Sequence, residues 1–97
     1  MIYEITEKTI DPAVRDEYVQ VYRQAWAEAA FEGSRKGKIL RCIEDPGRVI
    51  VVIEWDDLAA HRQHRQTPKQ KRFIDTIHSY LKAPSVNRHY EVEELTN

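Results

Sequence analysis

The chain has 97 residues, of which 41% are hydrophobic and 32% charged, with a net charge of −1. That balance belongs to one folded domain, here read over residues 1–97, and excludes a disordered segment or a global field that would steer the chain to nucleic acid or anionic lipid. No apolar run approaches the roughly 20 residues that cross a bilayer. The N-terminus lacks a secretory pattern and the single cysteine, Cys42, excludes an internal disulfide, so a cytoplasmic protein is expected.

Ile2–Lys8 alternates as a first strand. Asp11-Pro12, an acid at the cap position with proline at the first helical position, opens a helix. Val14, Tyr18, Val21, Tyr22, Ala25, Trp26 and Ala29 then form one helical face running to about Ala30. Phe31 to Lys38, rich in glycine and charge, reads as a loop. Lys38–Glu44 is a second strand, and Asp45-Pro46-Gly47-Arg48 is a turn in which proline presets φ and glycine supplies positive φ. Val49–Trp55 completes a hairpin. Asp56-Asp57 caps a short helix from Leu58 to about Gln66, and Thr67-Pro68 opens another that turns Phe73, Ile74, Ile77, Tyr80 and Leu81 inward. Pro84 ends it, and Val86–Glu94 is a last strand in which Tyr90 and Val92 share a face.

The order β-α-β-β-α-α-β predicts a four-stranded antiparallel sheet with helices on one face, a ferredoxin-like α+β fold with the third strand central beside the first. That third strand, Val-Ile-Val-Val-Ile-Glu-Trp, is apolar on both faces up to Glu54. A sheet with one wet face alternates, so a continuous apolar run implies cover on both sides. The helices suffice for one face only. Either Val49, Val51 and Ile53 or Ile50 and Val52 face outward, and no remaining segment is long and apolar enough to fold over them. A second copy of the chain, packed sheet to sheet, is the expected cover.

His61 and His64 stand three apart on a helix and can share a face. Imidazole titrates near neutrality, so His61 is a candidate proton-handling group, against the alternative of a plain cap-region histidine. No carboxylate or cysteine triangulates the two for a metal, and Asp57 is placed to pair with His61, so no metal is expected. Tyr18, Tyr22 and Trp26 form an aromatic stripe that serves either as core or as the wall of a pocket for a flat ligand, and Trp55 has the same two readings. Arg41 alternates with Ile39 and Ile43, which allows either a partly buried anion contact or an exposed strand edge. Cys42 reads as a small buried hydrophobe. Arg62, Arg65, Lys69, Lys71 and Arg72 make a basic helical region, but the aromatic and glycine motifs of an RNA-binding sheet are missing. No nucleic-acid or membrane partner is expected.

Ile39 to Arg48, then Ile53-Glu54-Trp55-Asp56-Asp57-Leu58-Ala59-Ala60-His61, the Thr67-Pro68 step and Asn87-Arg88-His89-Tyr90-Glu91-Val92 together resemble the antibiotic biosynthesis monooxygenase family over essentially the whole chain. The resemblance implies a dimeric α/β barrel, a homodimer through the open sheet face. Its aromatic-oxidising members use molecular oxygen without metal or flavin, turning polycyclic phenols into quinones in a pocket between sheet and helices. On that basis Trp55 matches a pocket tryptophan, and His61 stands where a tyrosine is found. Val51 replaces an expected asparagine and Asp75 an expected arginine. The haem-degrading members' asparagine, tryptophan and histidine correspond to Thr6 or Glu7, His64 and Ile74, which disfavours haem degradation. The expectation is a cofactor-free monooxygenase of a small aromatic phenol, with His61 catalytic and Trp55, Tyr22, Trp26, Arg41 and His64 binding substrate. The alternative is a non-enzymatic dimeric module that binds a small ligand or is stress-associated.

Overall fold

A computed structural model describes residues 1–30, 33–64 and 67–96, with the side chains of Gln63 and His64 outside that description. The elements are β1 (Ile2–Thr9), a single 3-10 turn (Pro12–Val14), α1 (Arg15–Ala29), β2 (Ser34–Arg41), β3 (Arg48–Trp55), α2 (Leu58–His64), α3 (Pro68–His78) and β4 (Val86–Glu91). The strands form one antiparallel sheet in the order β2-β3-β1-β4, so β3 is central beside β1. α1 and α3 pack together over one face, which gives the expected ferredoxin-like α+β architecture. Among the described residues no helix is long and apolar enough to cross a membrane.

The helix starts follow local chemistry. Thr67 Oγ1 accepts a hydrogen bond from the Gln70 amide at 3.2 Å with proline next, as expected, whereas Asp11 Oδ1, accepting from the Ala13 amide at 2.9 Å, caps only the 3-10 turn, and α1 itself begins at Arg15 without a side-chain cap. Asp57 Oδ1 accepts from the Ala60 amide at 2.8 Å. It therefore caps α2, and the side chain of His61 meets Glu4 and His89.

Several boundaries differ from the sequence reading, among them the end of α3 at His78, ahead of Tyr80, Leu81 and Pro84. β2 begins at Ser34, because an irregularity between Ser34 and Gly37 lets the glycine-containing stretch join the ladder, and it stops at Arg41. β4 ends at Glu91, short of Val92. Gly47 does not adopt positive φ; Gly33 does, at 82°. The glycine at 47 serves close approach instead, since a Cβ there would stand 2.9 Å from the carbonyl oxygen of Ile10.

The register decides which face each strand residue takes. Val49, Val51, Ile53 and Trp55 are buried beneath the helices with Tyr18, Tyr22, Ala25, Phe73 and Ile77. Ile50 and Val52 lie on the opposite face with Tyr3, Ile5, Leu40, Val86 and Tyr90, by cross-strand pairing of Ile5 with Val52, Tyr3 with Tyr90 and Leu40 with Ile50. β1 inverts the usual rule. Its apolar Tyr3 and Ile5 take the open face, while Glu4, Thr6 and Lys8 are buried under the helices. Polar side chains on the inner face of a central strand have to be answered by partners or by a ligand.

Candidate functional site

The inner polar row of β1 is the foundation of the site. β1 is antiparallel to both neighbours, and Glu4 stands opposite Ile53 on β3 and His89 on β4, with Thr6 opposite Val51 and Asn87. Residues directly opposite share a face, so Glu4, Thr6, His89 and Asn87 converge on the helix side. Trp55 lies one diagonal step from Glu4, and α2 brings His61 down onto the same spot.

Glu4 is the hub. Its Oε1 accepts a hydrogen bond from Trp55 Nε1 at 2.9 Å, and its Oε2 accepts one from Asn87 Nδ2 at 2.6 Å. His61 Nε2 stands 3.2 Å from the same Oε2. A carboxylate is acceptor-only, so this contact places a proton on His61 Nε2. His61 Nδ1 is 2.6 Å from His89 Nε2, one ring donating and the other accepting. Asn87 also donates to Thr6 Oγ1 at 2.7 Å. His61 is 5% exposed and stacks on Trp55 with ring centroids 4.8 Å apart. Glu4, His61 and His89 thus form a hydrogen-bonded chain leading from the buried strand to the partly exposed edge strand.

These three residues put a carboxylate and two imidazoles within 4.8 Å of one another. His61 meets its two partners with opposite ring nitrogens, and two nitrogens held at about 2.0–2.1 Å by one tetrahedral ion stand farther apart than the His61–His89 contact. The arrangement as it stands is a proton-sharing chain. Gathering all three residues on an ion would require a ring to turn.

His61 lines a cavity of about 220 Å³ walled by Tyr22, Trp26, Ile53, Trp55, Phe73 and Ile77, with Glu4, Thr6, Lys8, Gln70, Ser85 and Asn87 among its polar groups. Its aromatic wall is tightly edged: Trp26 meets Trp55 at 6.5 Å and Phe73 at 6.0 Å, and Phe73 meets Tyr22 at 5.1 Å, all edge to face. Burial raises the Tyr22 and Tyr18 phenols above their usual range, so both stay neutral and neither supplies a base near pH 7. Burial lowers the Lys8 ammonium, opposed in part by the charge of Glu4.

Of the residues singled out from the sequence, His61, Trp55, Tyr22 and Trp26 come together around this cavity. Arg41 does not. It forms an ion pair with Asp16 at 2.9 Å and lines a second cavity of about 480 Å³, which shares Tyr22, Trp26 and Ile53 as a common wall. The side chain of His64 lies outside the described residues. Glu4, Thr6, Lys8, Asn87 and His89 were missed. The carboxylate that partners His61 comes from the first strand, and only the alternation of polar residues at 4, 6 and 8 hinted at it.

A four-stranded ferredoxin-like sheet with an acid–imidazole chain under its helices defines a small α+β protein with a partly open aromatic pocket. The sequence profile of the antibiotic biosynthesis monooxygenase family matches residues 1–76, and the chain belongs to that family. Solved structures repeat the fold. A candidate antibiotic biosynthesis monooxygenase from Bordetella bronchiseptica superposes with a TM-score of 0.87 at 22% identity, covering 97% of each chain. Another from Deinococcus radiodurans gives 0.78 at 19% identity, over 100% of this chain and 97% of that one. An alanine variant of SnoaB, a cofactor-independent oxygenase from Streptomyces nogalater, gives 0.80 at 15% identity, over 97% and 94%. No curated protein matches the sequence.

Proposed function

We propose that this protein is a cofactor-independent monooxygenase that oxidises a small, electron-rich aromatic phenol to a quinone with molecular oxygen, working as a homodimer. The observation that carries this reading is His61, held between the Glu4 carboxylate and His89 and stacked on Trp55 at the edge of an aromatic-walled cavity.

A phenolate surrenders an electron to oxygen more readily than a phenol, so the protein's contribution is to take the proton and exclude water. The His61–His89 pair accepts that proton as a unit, and the Glu4 carboxylate against Nε2 stabilises the resulting imidazolium, as a buried acid does for a catalytic histidine. Phenol and O2 balance as quinone and water. Tyr22, Trp26 and Phe73 present apolar surface to a flat ring, and Thr6 and Asn87 offer polar contacts at its rim. Membership of a monooxygenase family supports the same reaction class.

The open sheet face supports the dimer. Leu40, Val86 and Tyr90 are about two-fifths to one-half exposed there, alongside Ile5, Ile50 and Val52. Burying such a patch gains about 25 cal/mol per Å². Light scattering at micromolar concentration is expected to give the mass of two chains, and a monodisperse monomer overturns the dimer.

The activity is tested by incubating purified protein with anthrone- or quinol-type phenols in air and under nitrogen. The expected result is quinone formation that requires oxygen and disappears in His61→Ala. No turnover across a broad panel, with binding retained, would leave a ligand-binding module instead.

A further inference from the structure

The mechanism above leaves one buried charge unexplained. Lys8 closes the inner row of β1 and is 6% exposed. Its ammonium lies 5.8 Å from the centroid of the Tyr22 ring and lines the cavity that His61 also lines. Among the described residues it makes no hydrogen bond and no ion pair. The nearby carboxylate is Glu4, two inward positions back, and its oxygens already serve Trp55, Asn87 and His61. Placing an ammonium in such surroundings is costly unless something anionic answers it. The other cavity offers a contrast, because Arg41 there is half-exposed and matched by Asp16.

We propose that Lys8 is the anion-binding pole of the cavity and holds the ionised oxygen of a flat aromatic ligand, its ring lying against Tyr22, Trp26 and Phe73. This rests on the reading that the cavity takes an aromatic phenol, and it specifies which form is bound. The two poles divide the work. Glu4, His61 and His89 take a proton from the ring carbon at one end of the β1 row, as in an anthrone-type substrate, and Lys8 neutralises the enolate oxygen to which the C–H electron pair delocalises at the other. Cα atoms four residues apart on a strand are about 13 Å apart, so side chains reaching inward from both ends bracket a molecule of one or two rings. Thr6, between them, accepts from Asn87 and keeps its hydroxyl hydrogen to donate. A cation facing a π-wall and lacking a protein acceptor also selects against neutral hydrocarbons of the same shape, because seating one would leave the ammonium without water or anion.

Anaerobic binding tests this without any turnover. Three naphthalene probes are titrated while the fluorescence of Trp26 and Trp55 is followed: 2-naphthoate, 2-naphthol and 2-methylnaphthalene. The wild type is expected to prefer an oxygen-bearing probe over methylnaphthalene. In Lys8→Met the favoured probe should weaken about 10- to 100-fold, the scale of a hydrogen bond to a charged group, with methylnaphthalene affinity changed less than about threefold. A loss confined to naphthoate assigns a carboxylate ligand, and a parallel loss for naphthol assigns a phenolate. Equal loss for all three probes, no loss, or no binding of any probe by the wild type overturns the proposal. Lys8→Gln provides a second neutral variant should the methionine form not fold. Lys8-dependent binding without quinone formation would retain this site and remove the oxygenase. Oxygen-dependent turnover indifferent to Lys8→Met would do the reverse.

Discussion

Replacing Glu4 by glutamine tests the hub of the site with almost no change of shape. The carboxylate accepts from Trp55 Nε1 at 2.9 Å and Asn87 Nδ2 at 2.6 Å and faces His61 Nε2 at 3.2 Å. The amide keeps one acceptor oxygen and turns the other into a donor. If the oxygen stays with Trp55, the NH2 group confronts the donors of Asn87 and His61. A hydrogen bond to a charged group contributes about 1.5–3 kcal/mol, and a buried donor left unsatisfied costs about 1–3 kcal/mol. Relief of the buried carboxylate's desolvation offsets part of this, leaving a net loss of about 2–3 kcal/mol. For a domain of this size that is a fall in Tm of roughly 10–20 °C. The imidazolium also loses its counter-charge, so quinone-forming turnover should drop by about 10²–10⁴-fold, the range assigned to general acid–base help. Thermal unfolding followed by circular dichroism, with oxygen-dependent turnover measured below the transition, reads both quantities. A variant melting within about 2 °C of wild type and turning over within about threefold would refute the hub, because neither the donors nor the counter-charge would then have mattered.

Three further outcomes follow from the packing. Tyr18 Oη is buried without a hydrogen-bond partner among the described residues, so Tyr18→Phe should stabilise the fold by about 1 kcal/mol, read as a rise of roughly 4–8 °C in Tm. Gly33→Ala should destabilise it, since φ is 82° and the added Cβ would stand 2.8 Å from Ala60 Cβ; denaturant unfolding should show a lower midpoint at unchanged slope. Burial lowers the Lys8 pKa below its ordinary value of 10.5, so the unfolded chain binds more protons at this site than the folded one. The folding penalty is therefore full below the folded pKa and vanishes as pH rises past the unfolded one. Lys8→Met should melt above wild type at pH 7, with the gap narrowing as pH approaches 10. A gap independent of pH would show that the charge is not its source.

The central strand, the threonine-plus-proline helix start and the element order were legible because they depend on near neighbours. An N-cap forms within three residues, and apolar runs report their own burial. The two-faced apolarity of Val49–Trp55 likewise pointed to a second cover before any register was known. The aromatic half of the pocket was legible too, since Tyr22 and Trp26 share a helical face and Trp55 closes its strand.

The polar half was not. Glu4, His61 and His89 are distant in the chain and meet only because β1 lies between β3 and β4 in a register that sets Glu4 opposite both Ile53 and His89. A shift of one residue would send Glu4, Thr6 and Lys8 to the open face and Tyr3 and Ile5 to the core, the outcome that hydrophobicity alone favours. Residue types could therefore announce a sheet, its helices and an aromatic wall. Only the tertiary register, which fixes side-chain parity across three strands at once, could turn the polar side of β1 inward and assemble a site there.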